Sequence, residues 1–404
     1  MCLRYRNPHH IYDVVRPLLA FSKVFGQTAF SIVGEPPYVQ IKVTRLEFAA
    51  LLINFVGNCF CAYINIVNIR LTRFTGSTVM DKGLSFLFPF GAAVMTLLAI
   101  DNFLRRNLTC TILAQLFAVD RSLQRKNHDL NQRRQFVVLA RLLYTLAGLI
   151  ALGTLFTLGM SLFSENYLKN HMINGLSYAY TGVQFMIVNF HFVVTARLVT
   201  YRLEAIKCCI RKHFESGSWW IEQKPRWGRR MDPIDVVAEL AGDFATLTRI
   251  VDRANQIYSN QVVGLICGVI MYSIFVIYAS SYTYFAGSVH EFRLTFILLT
   301  AWMFYILMVG LIFFSGMGVE NTSNDIVNLL HDALQQENDV STKRKLVCFS
   351  QQILLRQPRL RCMFYDYNWK TLSSMFGLVV TYLVILLQFD IITDRSSNEV
   401  PLPA

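Results

Sequence analysis

The chain has 404 residues, 54% of them hydrophobic, 13% aromatic and 16% charged, with a formal net charge of +12. A soluble domain carries about one quarter charged residues, so this composition excludes an ordinary water-soluble globule and points to a polytopic membrane protein. A basic chain suits a nucleic-acid partner only when the charge is gathered into one patch, so its placement along the sequence decides.

The opening stretch MCLRYRNPHHIYDVV has no apolar core and no small-residue cleavage site, so a secretory signal is not expected. Val14–Val33 is apolar but interrupted by Arg16, Lys23 and Gly26, which predicts an amphipathic segment lying on the membrane surface. A helix crossing the hydrocarbon needs about 20 apolar residues. Seven stretches meet this: Leu46–Ile69, Gly83–Phe103, Phe136–Phe163, Met172–Ala196, Tyr258–Phe285, Leu294–Met317 and Thr371–Ile392.

Of the 38 lysines and arginines, 31 fall on one side of these spans and six on the other, with Arg141 one turn inside span three. Basic loops stay in the cytosol, which places the N-terminus inside and the C-terminus outside and accounts for the net charge without nucleic acid. The sequons at Asn107 and Asn321 fall on the cytosolic side, so neither is expected to carry sugar. None of the nine cysteines lies in an outer loop, so no external disulfide framework is expected. Cys208 and Cys209 read as reduced thiols, with palmitoylation as the alternative.

The outer loops are too short to hold a ligand-binding domain. The inner connections are long. Val236, Leu240, Phe244, Leu247 and Val251 recur at helical steps, and Asp232 before Pro233 marks a helix start. Ile326, Leu330 and Leu334 repeat the pattern between spans six and seven. Both segments read as extensions of the spans into the cytosol. Glu222–Pro233 reads as a solvated linker.

Enzyme chemistry is not expected: H-E-x-x-H, paired-cysteine and P-loop motifs are missing, and neither a cofactor nor a metal is implied. Asp101 is expected to pair with Arg105 one turn on. Proton-driven transporters need acids or histidines inside the membrane; here His191 alone lies deep, and a structural hydrogen bond to a neighbouring helix is expected for it. The V-D-R tripeptides at Val119–Arg121 and Val251–Arg253 do not follow span three, and span seven lacks N-P-x-x-Y, so a G-protein-coupled receptor is not supported. Gly264 and Gly268 form G-x-x-x-G, a pattern that permits close helix packing.

Span seven contains TYLVILLQF, Thr381–Phe389. At about 100° per residue, positions seven apart nearly superimpose. Ser374, Thr381 and Gln388 therefore form one column with Ile385 and Ile392, while Met375, Tyr382 and Phe389 form a bulky column beside it. Two readings fit the polar column: bonds to neighbouring helices, or the wall of a water-filled path gated by dewetting. One helix encloses nothing, so the second reading requires several subunits around an axis. Asp390 and Asp394 follow at the outer end, turned away from the column.

TYLVILLQF resembles the signature of the insect gustatory receptors, T-Y, five hydrophobic residues, then Q-F, carried here by Thr381, Tyr382, Gln388 and Phe389. VVRPLLAFSKVFGQTAF and the segment before span seven resemble the same family. Such receptors are similar to insect odorant receptors and their co-receptor. The resemblance implies a ligand-gated, non-selective cation channel, tetrameric as a homomer or with related receptors, in the plasma membrane of a sensory dendrite. It implies Ile385, Gln388 and Phe389 near the gate and a ligand pocket in the outer half of each bundle. There the topology places Tyr178, Thr181, Gln184, Tyr278, Tyr282, Tyr284 and Trp302, which suit a small organic tastant. Sugar-sensing members carry Glu after T-Y; Leu383 here argues against a sugar.

The expected architecture is an all-α membrane protein. A cytosolic segment at 1–45 precedes a six-span ligand-binding bundle at 46–317. Cytosolic anchor helices at 318–370, the pore-lining span at 371–392 and an extracellular tail at 393–404 follow. A seven-span receptor acting through a partner, or an obligate subunit that does not conduct alone, is the alternative.

Overall fold

The computed structural model describes residues 8, 10–28, 30–33, 40–71, 78–126, 130–162, 168–215, 233–286, 289–362 and 365–398. The helices in chain order are α1 (Ile11–Val24), α2 (Arg45–Leu71), α3 (Thr78–Leu104), α4 (Arg106–Arg125), α5 (Gln132–Leu162), α6 (Leu168–Glu215), α7 (Pro233–Ala286), α8 (Val289–Gln336), α9 (Val340–Leu355) and α10 (Trp369–Asn398). Among the described residues, a small antiparallel hairpin, β1 (Ser31–Val33) with β2 (Gln40–Lys42), departs from the otherwise helical pattern.

The segment Val14–Val33 is not one surface rod. Ile11, Val14, Val15 and Leu18 share one face of α1 and are buried, packed against α2, α4, α5 and α6. The helix then stops at Gly26, whose φ is 64°. Gly26 N–H donates to Lys23 O and Gln27 N–H to Ser22 O, each at 3.0 Å, the αL ending that glycine supplies without steric cost. A side chain there would also meet Asn54 Cβ at 2.8 Å. The chain re-enters as β1, and β2 leads into α2. Thr44 and Glu47 cap that helix reciprocally: Glu47 N–H donates to Thr44 Oγ1 (3.3 Å) and Thr44 N–H to Glu47 Oε2 (2.8 Å), a capping box. The other Glu47 oxygen accepts from Lys23 Nζ at 3.0 Å and is bonded to the Ser31 hydroxyl, so one carboxylate ties α1, the hairpin and α2 together.

Six helices are long and apolar enough to cross a membrane among the described residues: α2, α5, α6, α7, α8 and α10. The remaining expected span falls in α3, where Pro89–Leu104 is a shorter apolar helix. Helix α6 is the hub, with 78% of its apolar window buried, and α5, α7 and α8 pack around it. The outer faces are greasy: Phe48, Leu52, Ile53, Phe55, Val56 and Phe60 of α2 are all exposed. A contiguous apolar surface of this kind belongs against lipid.

Helices α6, α7 and α8 run on without a break beyond their apolar stretches. Val236, Leu240, Phe244, Leu247 and Val251 are buried, as are Ile326 and Leu330, so the periodicity marks a packed second layer. Helix α9 closes it, with Leu346, Phe349 and Ile353 inside and Phe349 edge-on to Phe244 at 5.8 Å. Asp339 starts α9 by accepting from Ser341 N–H (3.3 Å), Thr342 N–H (2.9 Å) and Thr342 Oγ1 (2.7 Å); these donors hold its carboxyl below the usual aspartate range. Asp232 and the linker at 222–232 lie outside the described residues.

Two predicted contacts are present. Arg105 Nε lies 2.7 Å from Asp101 Oδ1. His191 Nε2 lies 2.7 Å from Ser22 Oγ. Ser22 already donates its single proton to Leu18 O at 2.7 Å, so it accepts from His191, which fixes the Nε2–H tautomer. The partner sits on α1, not on another long span.

Candidate functional site

Helix α10 opens on an asparagine cap: Asn368 Oδ1 accepts from Thr371 N–H at 2.9 Å and from the Thr371 hydroxyl at 3.0 Å. Only 6% of its apolar window is buried, the least of the six membrane-length helices. One stripe faces inward. Val379 is 8% exposed, Leu372 and Met375 pack on the main core, and Leu383, Leu386 and Leu387 pack on a second cluster built from Leu87, Tyr272, Val276, Tyr278, Ala279 and Leu298.

The polar column lies on the other side. Thr381 is about 200° from Val379, Gln388 about 180° and Ser374 about 220° around the axis at 100° per residue. All three are exposed, and so is Ile385. Ser374 Oγ donates to Lys370 O (3.0 Å) and Thr381 Oγ1 to Gly377 O (2.9 Å), so within the subunit these hydroxyls are satisfied by their own helix. Tyr382 flanks the column at 50% exposure. The side chains of Phe389, Asp390 and Asp394 lie outside the described residues.

The described side chains among the residues expected to meet a ligand differ in their surroundings. Tyr178 lies outside the described side chains. Thr181 is half-buried and donates to Ser177 O at 3.1 Å. Gln184 is fully buried and turned towards α2, where its Nε2 donates to Asn54 Oδ1 at 2.7 Å. Tyr278 is fully enclosed between α7 and its neighbours, with Trp302 packed on the same cluster. Tyr282 is half-buried and Tyr284 is 83% exposed. Trp302 Nε1 donates to Ser273 Oγ at 2.7 Å.

Sequence reasoning missed the groups joining these helices. Tyr305 stands between α6, α7 and α8, 4.7 Å from the Phe185 ring and 5.4 Å from that of Tyr272. Asn54 Oδ1 also accepts from Tyr180 OH at 2.9 Å and from Asn58 Nδ2 at 3.3 Å. Tyr180 approaches α2 at Gly57, where a Cβ would lie 2.9 Å from its hydroxyl. A signal existed for this polar node: Asn54 and Asn58 stand one turn apart inside an apolar span, where amides seek partners on other helices. The buried pair Arg202–Asp120 had a fainter one, an acid on the apolar face defined by Leu116, Val119 and Leu123.

These observations define a multi-pass helical membrane protein whose last helix exposes a polar column away from its own bundle. The sequence matches the 7tm chemosensory receptor family over residues 15–393, and the chain belongs to that family. In solved structures the fold resembles the insect olfactory receptor OR5 from Machilis hrabei: TM-score 0.68 at 13% identity, covering 93% of this chain and 97% of that one. The same receptor in complex with eugenol gives 0.67 at 12% identity, with the same coverages. Comparison with curated protein sequences returns no match.

Proposed function

We propose that this chemosensory receptor is a gustatory receptor acting as a ligand-gated, non-selective cation channel in the plasma membrane, opened by a small organic tastant. Four copies would surround an axis, each contributing α10. The observation that carries this reading is the geometry of α10: its packing stripe and its polar column are on opposite faces. A helix surrounded by lipid gains nothing from a row of Ser374, Thr381 and Gln388 turned outward, whereas a helix bordering water does. Ile385 within that row supplies the apolar constriction, and the family resemblance assigns Phe389 to the gate as well. The family signature Thr381, Tyr382, Gln388 and Phe389 supports the gustatory assignment, and the eugenol complex of the Machilis receptor supports a small organic ligand.

In this reading residues 46–317 hold the ligand, 318–370 anchor the subunits in the cytosol, 371–392 line the pore and 393–404 lie outside; the N-terminal 1–45 is cytosolic. The test is to record currents from cells expressing the protein across a tastant panel, then with Gln388→Ala and Ile385→Ala. Altered permeation or gating is expected in both. Unchanged behaviour in both variants removes the pore assignment, and currents that arise only on co-expression replace the homomer with an obligate partner.

A further inference from the structure

A narrow groove of about 60 Å³ runs between α7, α8 and the first turns of α10, well short of the 300–1,000 Å³ of an enclosed organic-ligand pocket. Val269 and Ile270 of α7, Trp302 and Ile306 of α8, and Met375 and Val379 of α10 form its walls. Along α7 it extends from Ile266 to Ile277, about 16 Å at 1.5 Å per residue, so it is a slot parallel to the helices rather than a round pocket. We propose that this slot is a binding site for a single acyl chain of a bilayer lipid, held directly against α10.

Three observations select a hydrocarbon chain. The wall has two polar handles, and they satisfy each other. Ser273 Oγ spends its proton on Val269 O (2.7 Å) and accepts the Trp302 indole N–H (2.7 Å), so no lining hydroxyl or amide is left seeking a polar ligand. The slot lies on three helices of membrane-crossing length and composition, with its long dimension along them. Exposed apolar side chains flank it, Phe376 and Val380 on α10 and Met303 and Leu307 on α8, the kind of surface such helices turn to lipid. A chain in the slot buries apolar area on both sides at about 25 cal/mol per Å² and braces α10 against α7 and α8. That lipid therefore biases the position of the helix; this consequence, unlike the binding, rests on the proposed channel function.

The test uses Trp302 as the reporter. The full-length protein is reconstituted in phosphatidylcholine bilayers with and without bromine at mid-chain carbons. The Trp302 emission is isolated by subtracting that of W302F. Bromine should lower it at least twofold, and the loss should shrink by more than half in the groove-filling variants Ile306→Phe and Ile270→Phe. Each variant is first checked for a monodisperse particle of wild-type size. Equal Trp302 emission in both bilayers overturns the proposal. Quenching that neither filling variant reduces also overturns it, because the lipid is then met outside the slot. Quenching by added bromo-octane but not by brominated lipid assigns the slot to a free lipophile, and protection of Trp302 that disappears when the oligomer is dissociated assigns it to a second copy; either replaces the lipid. Quenching is independent of conduction, so silent channels with intact quenching refute the functional reading and leave the site standing.

Discussion

Arg202 of α6 and Asp120 of α4 are joined by a 2.7 Å contact between Nη2 and Oδ2, and both side chains are almost wholly enclosed. Arg202 Nη1 also donates to Leu198 O at 2.7 Å, and Gln132 Nε2 donates to the same Asp120 oxygen at 3.2 Å. The pair thus fastens the end of α4 and the start of α5 to the hub helix. Removing one member of a buried ion pair strands the other, at a cost of about 3–5 kcal/mol, whereas replacing both with apolar residues is often neutral. Arg202→Ala should therefore lower the melting temperature and the monodisperse fraction sharply, and Asp120→Leu with Arg202→Met should recover most of the loss. Thermal unfolding in detergent followed by size exclusion checks it.

The hydrogen bond from His191 to Ser22 couples the N-terminal helix to α6. Ser22→Ala leaves a half-buried imidazole N–H without its acceptor, which costs about 1 kcal/mol or more. His191→Phe removes the donor as well, so the double variant should be no worse than the worse single one. A thermal double-mutant cycle reads the coupling, and additive losses would show that the two side chains act separately.

The two faces of α10 should differ in access. With Ser374→Cys, Thr381→Cys and Gln388→Cys, a water-soluble thiol reagent is expected to reduce tastant-evoked current. Val379→Cys, 8% exposed and turned to the bundle, should be at least tenfold slower to respond. Equal rates at all four positions would count against a water-lined column.

Close approaches separate the glycines. A Cβ on Gly316 would meet Tyr367 Cβ at 2.8 Å, one on Gly264 would meet Val94 Cγ1 at 3.3 Å, and one on Gly268 would meet nothing within 4 Å. Overpacking costs about 1–3 kcal/mol, so Gly316→Ala should destabilise, Gly264→Ala should have a small effect, and Gly268→Ala should be tolerated. Melting temperatures of the three variants give the order. Half of the G-x-x-x-G pattern therefore marks a real contact with α3.

Burial raises the Cys110 thiol to about 11, because the thiolate loses its water. Its alkylation should be slow at neutral pH and rise about tenfold per pH unit until that value, while the exposed Cys208 reacts first. Mass-spectrometric labelling at several pH values decides, and rapid neutral modification of Cys110 would contradict its burial.

Much was legible along the chain because its physics is local. Helix length and period follow from runs of apolar residues, and the two columns of α10 from the 100° step. The family signature is also contiguous. What the sequence by itself could not determine is which face of each helix meets which neighbour. Inside a membrane-length helix nearly every position is apolar, so periodicity no longer separates a core face from a lipid face. Tertiary structure decided that Gln184 turns to Asn54, that Tyr278 is enclosed while Tyr284 is exposed, and that Ser374, Thr381 and Gln388 lie opposite the stripe through Val379. It also buried Asp120 with Arg202, two charges 82 positions apart, a pairing fixed by how α4 docks on α6 and by nothing in either helix alone.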